Sequence, residues 1–382
     1  MKKNISFLIY VFSFLLACTI AQKPGYSLQH INPYQYSVRK KIICENGAVV
    51  SAHPIASKVG VEMLKLRGNA FDAAIAVQLA LAVVYPNAGN IGGGGFMVAR
   101  LSDAAQTYGK GKLIALDFRE VAPADAHRDM YLDAAGNAQT EKSQNGHLSS
   151  GVPGTIAGLF AMMQYAKLPF EKLIQPAIDL AEKGYCITEA EANSFNNIQN
   201  DLRKYNTVIP VFVKQILWKA GDTLIQTDLA NTLKRIRDNG QAGFYEGETA
   251  KFIVDEMKRG GGIVSYNDLK NYKATWREPH IFDYKGYTIA GMPMPSSGGV
   301  LLNQMLKMIE SRSLGSAGFQ SPQAVQLMTE VERRAFADRA EFMGDADFYK
   351  VPVAKLVSDD YLKDRMKDYD SLTAGNSKNV QP

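Results

Sequence analysis

From Ile55 the apolar positions Ala56, Val59, Met63 and Leu66 recur at the spacing of a helix that buries one face, and Gly68-Asn69 supplies the stop. A second helix is expected over Ala73 to Val84 with Asp72 as its cap. It is apolar on nearly every face, and at about a dozen residues it reads as a core helix, too short for a membrane span. Gly47 to Ala52, just before these, reads as a short strand. Beyond them, Gly92-Gly93-Gly94-Gly95-Phe96-Met97-Val98 runs four glycines into β-favouring residues, which predicts a tight backbone passage entering a strand. Leu113 to Phe118 follows as a partner strand, close enough in sequence for an antiparallel hairpin. Later segments read mainly as helices: Gly154 to Tyr165, Leu173 to Lys183, Leu229 to Asn239, Thr249 to Arg259, Gly299 to Glu310 and Pro322 to Phe342. A short strand, Tyr287 to Met292, leads into Pro293-Met294-Pro295-Ser296-Ser297-Gly298-Gly299, and Ser371 to Pro382 is polar and reads as a loop. No internal repeat or low-complexity linker divides the chain.

The N-terminus departs from this pattern. Lys2 and Lys3 precede an apolar run from Ile5 to Leu16, which fits the hydrophobic region of a secretory signal. Two exits are open: Thr19-Ile20-Ala21 before Gln22 offers the small residues of a signal-peptidase site, and Leu15-Leu16-Ala17-Cys18 resembles a lipoprotein box that would lipidate Cys18. The expected organisation is therefore a signal over 1–21, or over 1–17 if Cys18 is lipidated, followed by a single region over 22–382. Either route predicts a periplasmic or extracellular protein, with Cys18 as a possible membrane anchor.

With 382 residues the chain is long enough for a substantial core, and 46% hydrophobic with 21% charged residues is ordinary globular composition. The net charge of +5 is spread along the chain without the clustered Lys, Arg and aromatics of a nucleic-acid surface, so no nucleic-acid partner is expected. Besides Cys18 there are only Cys44 and Cys186, too few for a disulfide scaffold; they are expected to be unpaired and buried. No metal-ligand spacing is present, and no cofactor is expected.

Self-contained catalytic signatures are missing. There is no Gly-x-Ser-x-Gly elbow, His-Glu-x-x-His, phosphate loop or Cys-x-x-Cys, and the glycine run fails the dinucleotide spacing because Met97 stands where a glycine is needed. His30, His53, His127, His147 and His280 are scattered singly and read as structural. Two features stand out. In Leu116-Asp117-Phe118-Arg119-Glu120-Val121-Ala122-Pro123, Arg119 falls at the end of an apolar strand, where a guanidinium can grip a carboxylate through two parallel hydrogen bonds; the other reading is an internal ion pair with Glu120 or Asp117. In Pro295-Ser296-Ser297-Gly298-Gly299, the serines either cap the following helix or leave its first amides to hold an anion.

Taken in order, these segments resemble the γ-glutamyltranspeptidases. The glycine run with Phe96-Met97, Leu-Asp-Phe-Arg-Glu-x-Ala-Pro, and Gly151-Val152-Pro153-Gly154-Thr155-Ile156-Ala157-Gly158 carry the resemblance. So do Pro176-Ala177-Ile178-Asp179-Leu180-Ala181-Glu182-Lys183-Gly184, Gly243-Phe244-Tyr245-Glu246-Gly247, Pro-Ser-Ser-Gly-Gly and Ala335-Phe336-Ala337-Asp338-Arg339. The similarity runs from about residue 44 to about residue 365. Met294 stands where the family usually has proline, and Ala346 where Gly-Asp-Pro-Asp is usual; both are small loop departures.

The resemblance implies an α+β fold, the large-subunit half of an N-terminal-nucleophile hydrolase αββα sandwich with a largely helical remainder. It implies a secreted precursor that cuts itself into two subunits, with the small subunit as partner. Its new N-terminal threonine, expected beyond residue 382, would attack the γ-amide of glutathione and pass the glutamyl group to an amino acid, a peptide or water. Arg119 would bind the glutamyl α-carboxylate. Residues 1–382 alone are expected to be inactive, with no catalytic residue of their own. Sister enzymes, namely cephalosporin acylases and capsule or polyglutamate transpeptidases, resemble the same scaffold, and a non-catalytic secreted binding protein is a further alternative.

Overall fold

The computed structural model describes residues 43–102, 111–312 and 314–382. The signal segment, Cys18 and His30 lie outside the described residues. In chain order the longer helices are α1 (Pro54–Lys65), α2 (Ala70–Val84), α3 (Thr155–Met162), α4 (Phe170–Lys183), α5 (Glu189–Tyr205), α6 (Thr227–Asn239), α7 (Gly247–Gly260), α8 (Tyr266–Asn271), α9 (Gly298–Glu310) and α10 (Pro322–Phe342). The strands are β1 (Phe96–Arg100), β2 (Leu113–Asp117), β3 (Tyr185–Cys186), β4 (Thr223–Leu224), β5 (Thr275–Arg277), β6 (His280–Tyr284) and β7 (Tyr287–Gly291). The described residues group into two compact units, one formed by residues 43–90 with Tyr165–Phe244, the other by Ile91–Gln164 with Tyr245–Pro382.

The first unit is a helical assembly in which α1 packs on α2, α2 on α4 and α4 on α6. Ile55, Val59, Leu79, Val83, Leu173, Ile174, Ile178, Leu233 and Ile236 are buried in it. The cap of α2 differs from expectation: Asn69 caps it, accepting from Phe71 N at 2.8 Å, and the helix starts at Ala70. Asp72 sits one turn inside and closes a capping box by accepting from Asn69 N at 2.6 Å. Its buried carboxylate also accepts from the amides of Lys167 and Leu168, which ties that loop to the helix. Gly47–Ala52 is irregular, not a strand; Val50 is exposed and nothing among the described residues pairs with the segment. Cys44 and Cys186 are free, but both are exposed, contrary to the burial expected; Cys186 lies on the solvent side of the two-residue strand β3, while its neighbour Tyr185 takes the buried side.

The second unit carries the expected hairpin. β1 and β2 pair antiparallel with Phe96 opposite Asp117, and β5 adds to the other edge of β2 with Asp117 opposite Thr275. β6 and β7 form a separate antiparallel pair that packs on α9. Leu301, Met308 and Ile309 of α9 meet Leu327, Val331 and Ala335 of α10, with Leu362 and Met366 closing the cluster.

The glycine run is the tight passage its sequence suggested. Gly95 exchanges both backbone hydrogen bonds with Phe118, and the Gly93 carbonyl accepts from the amides of Gly154 and Thr155 at the start of α3. A Cβ on Gly94 would lie 2.8 Å from the Arg119 Cα, so the backbone approach that seats Arg119 excludes any side chain. A Cβ on Gly154 would lie 2.1 Å from the Phe118 carbonyl oxygen and 2.2 Å from the Tyr272 hydroxyl. Both neighbours are held by hydrogen bonds, the Phe118 carbonyl by Gly95 N and the Tyr272 hydroxyl by the Arg119 carbonyl, so Gly154→Ala is expected to lower stability by about 1–3 kcal/mol through overpacking. Thermal melting checks this, and a wild-type midpoint would show that the segment relaxes freely.

Candidate functional site

A cavity of about 580 Å³ opens in the second unit, and it brings together the two features singled out in the sequence. Arg119 lines it, and so do Pro295 and Ser297 of the Pro-Ser-Ser-Gly-Gly segment. Tyr272, Lys273, Thr275 and Arg277 contribute from the β5 side, Arg339 and Met343 from the C-terminal part of α10, and Asp345 and Asp347 from the loop that follows.

Arg119 stands two residues past the end of β2 and is exposed. Its backbone is fixed on both sides: its amide donates to Asp117 Oδ1 at 3.0 Å, and its carbonyl accepts from the Tyr272 hydroxyl at 2.7 Å. Tyr272 stacks on Tyr245 with centroids 6.0 Å apart, and Tyr245 donates to the Pro153 carbonyl at 2.9 Å. Burial, then the nearby Tyr245, Asp117 and Glu120, pushes the Tyr272 hydroxyl well above its ordinary range, so it stays a neutral donor at working pH. The guanidinium carbon of Arg119 lies 5.9 Å from the Phe96 ring centroid.

The internal ion pair that the sequence left open for Arg119 is not formed. Buried Asp117 accepts instead from Arg277 Nε at 2.8 Å. Arg277 reaches on with both terminal nitrogens to Asp347, at 2.9 and 2.7 Å. The bonds from Asp347 and then Asp117 raise the Arg277 pKa above its ordinary range against the effect of burial, and Arg277 in turn holds the Asp347 carboxyl below its own. Arg277 thus takes up the carboxylate that would otherwise neutralise Arg119. Among the described residues Arg119 has no carboxylate partner, although Glu120 is its neighbour in sequence.

Ser297 precedes α9 but makes no side-chain cap bond; its Oγ accepts from Arg339 Nε at 3.1 Å. Ser296 Oγ accepts from the Gly298 amide only at 3.5 Å, so of the two readings left open for these serines the capping one is met by a single long bond. Three of the histidines take structural places. His53 caps α1 by accepting from Ile55 N, His147 Nε2 meets Glu256 at 2.7 Å, and His280 Nε2 meets the Asn303 amide at 3.1 Å with its pKa lowered by burial. Among the described residues no three His, Cys, Asp or Glu side chains form a metal-holding group.

Comparison with known proteins decides the family. The γ-glutamyltranspeptidase family model matches residues 56–381. The chain belongs to the γ-glutamyltranspeptidase family. It is 42% identical to the glutathione hydrolase proenzyme of Escherichia coli over 364 residues, 92% of this chain and 60% of that protein. The crystal structure of Helicobacter pylori γ-glutamyltranspeptidase superimposes with a TM-score of 0.85 at 41% identity, covering 90% of this chain and 97% of that one. An acylase ACY 1 proenzyme from Pseudomonas is further away, at 37% identity. The chain therefore spans about 60% of the length of its curated glutathione hydrolase relatives. The α+β, N-terminal-nucleophile-hydrolase reading agrees with that solved γ-glutamyltranspeptidase structure.

Sequence reasoning missed Tyr272, Arg277 and Asp347. Arg277 sits on a three-residue strand with two exposed positions, too short to show a period. Arg339 lay within a motif that carried the family resemblance, yet nothing in the spacing assigned it a partner.

Proposed function

We propose that this chain is the large-subunit region of an exported γ-glutamyltransferase and glutathione hydrolase precursor, and that Arg119 binds the α-carboxylate of the γ-glutamyl group. The observation that carries this reading is that exposed Arg119 lines the cavity with its backbone hydrogen-bonded on both sides, while the nearby carboxylate of Asp117 is committed to Arg277. A planar cation in that state suits a carboxylate delivered by substrate.

The chemistry proposed for the assembled enzyme is acyl transfer. The N-terminal threonine of the small subunit attacks the γ-amide carbonyl. Its free α-amino group, with a pKa of about 8, takes the hydroxyl proton and passes it to the departing amine. An amino acid, a peptide or water then attacks the glutamyl ester and regenerates the threonine. This chain's part is positioning: one guanidinium fixes the α-carboxylate end, so the γ-carbonyl arrives at a set distance from it. Export rests on the Lys2-Lys3 and Ile5–Leu16 pattern, with release by signal peptidase or anchorage through Cys18 as the two routes.

The test compares purified, self-processed protein on glutathione, glutaryl-cephalosporin and poly-γ-glutamate. Glutathione is expected to give the highest kcat/KM. Preference for the cephalosporin would move the chain to the acylases, and preference for the polymer to the capsule-type transpeptidases.

A further inference from the structure

Besides Arg119 and the ion-paired Arg277, the cavity is lined by a third guanidinium, that of Arg339. Arg339 lies on α10 and is exposed into the same cavity as Arg119. Its Nε is occupied by Ser297 Oγ at 3.1 Å, and that bond fixes the plane of the group. Among the described residues the Arg339 side chain has no other hydrogen bond and no ion pair, although Asp345 and Asp347 line the same cavity. Asp347 is taken by Arg277, and Asp345 Oδ1 accepts from the Asp347 amide at 3.0 Å. The two terminal nitrogens of Arg339 therefore have no protein hydrogen-bond or ion-pair partner among the described residues. Ser297 also stands at the start of α9, whose positive end adds to the field there.

We propose that Arg339, oriented by Ser297, binds a second carboxylate of the substrate: the C-terminal carboxylate of a γ-glutamyl peptide, at the far end from the α-carboxylate held by Arg119. This deepens the reading above and rests on it. A donor with carboxylates at both ends would then engage two forks across one cavity, and a donor with a neutral leaving group would engage only one. The site thus discriminates γ-glutamyl peptides from γ-glutamyl amides of uncharged amines. Arg339 acts in binding and takes no proton.

The experiment uses the processed two-subunit enzyme and three donors: glutathione, glutathione esterified at its glycine carboxylate, and a γ-glutamyl anilide. With wild-type protein, the ester is expected to show a KM about tenfold or more above glutathione, the loss of a charge-assisted pair. Arg339→Gln is expected to raise the glutathione KM by a similar factor, to erase the difference between acid and ester, and to leave the anilide KM unchanged. The anilide rate also reports whether the variant is folded, and the wild-type ester comparison needs no variant at all. Equal KM for acid and ester in wild type, or an equal shift on glutathione and anilide in the variant, would overturn the assignment of Arg339. Those outcomes leave the role of Arg119 standing. Absence of turnover on every γ-glutamyl donor would instead remove the underlying activity, and this assignment with it.

Discussion

Arg119→Ala in the processed enzyme is expected to raise the donor KM about 10- to 150-fold while kcat falls little. The guanidinium is proposed to make charge-assisted hydrogen bonds to the α-carboxylate, each class of which contributes about 1.5–3 kcal/mol, and 1.4 kcal/mol is about tenfold in affinity. The loss is placed in binding because the α-carboxylate carries no developing charge as the γ-amide breaks; the contact is the same in ground and transition states. Arg119→Lys is expected to recover only part of the affinity, since an ammonium on a flexible stem cannot reproduce two parallel bonds. Because the Arg119 backbone is held by Asp117 and Tyr272, neither substitution should disturb the cavity wall. Initial-rate kinetics with glutathione and with a γ-glutamyl anilide measure both constants. Unchanged KM in Arg119→Ala would place the carboxylate on another cation of the cavity, Lys273 or Arg339.

What the sequence disclosed follows the strength of each local pattern. The β1–β2 hairpin and α2 were readable because apolar runs there are long and bounded by glycine or a cap. The helix α5 was missed: of its 17 residues only Ala192, Phe195 and Gln199 are buried, so its apolar stripe is too thin to see. The usable signal was Thr188 with Glu191, a capping box that the structure forms, with Glu191 N donating to Thr188 Oγ1 at 3.2 Å. Gly47–Ala52 failed the other way, since β-favouring residues make a strand only when an edge is there to pair with them. At the cavity, Arg119 could be picked out by type and position. Its lack of an ionic partner could not, because that depends on Arg277, 158 residues later in the numbering, reaching Asp117 across the β2–β5 pairing. Partner choice among several charges is a tertiary property, and spacing along the chain is silent on it.

The largest stability effect is expected at Glu330 on α10. Its carboxylate is buried at 4% exposure, accepts from Arg333 and from the Gly375 amide at 2.9 Å, and pairs with Arg334 at 2.5 Å. Arg334 in turn holds Asp368 at 2.7 Å and the Arg365 carbonyl at 2.7 Å, so one acid side chain anchors the segment that follows residue 365 to α10. Glu330→Gln removes the charge and leaves buried guanidinium groups short of a partner, which typically costs about 3–5 kcal/mol. The pH dependence has a definite sign. Burial works to raise the Glu330 pKa, but the bonds from Arg334 and Gly375 and the charges of Arg333 and Arg334 outweigh it and the folded value is lowered. A carboxyl lowered on folding contributes stability above its unfolded pKa of about 4.3, and that contribution is lost as pH falls through the folded value. Asp338, on the same helix, runs against this: burial raises its pKa despite Arg365 at 3.0 Å, so its ionisation opposes folding above its unfolded pKa and acid relieves it. Urea unfolding at neutral pH and at a series of acid values separates the two. Wild type is expected to lose stability steeply below about pH 4, and Glu330→Gln to start lower at neutral pH and fall less over the same acid range. Parallel curves for the two proteins would mean that Glu330 is not the group whose protonation loosens this helix from the segment it holds.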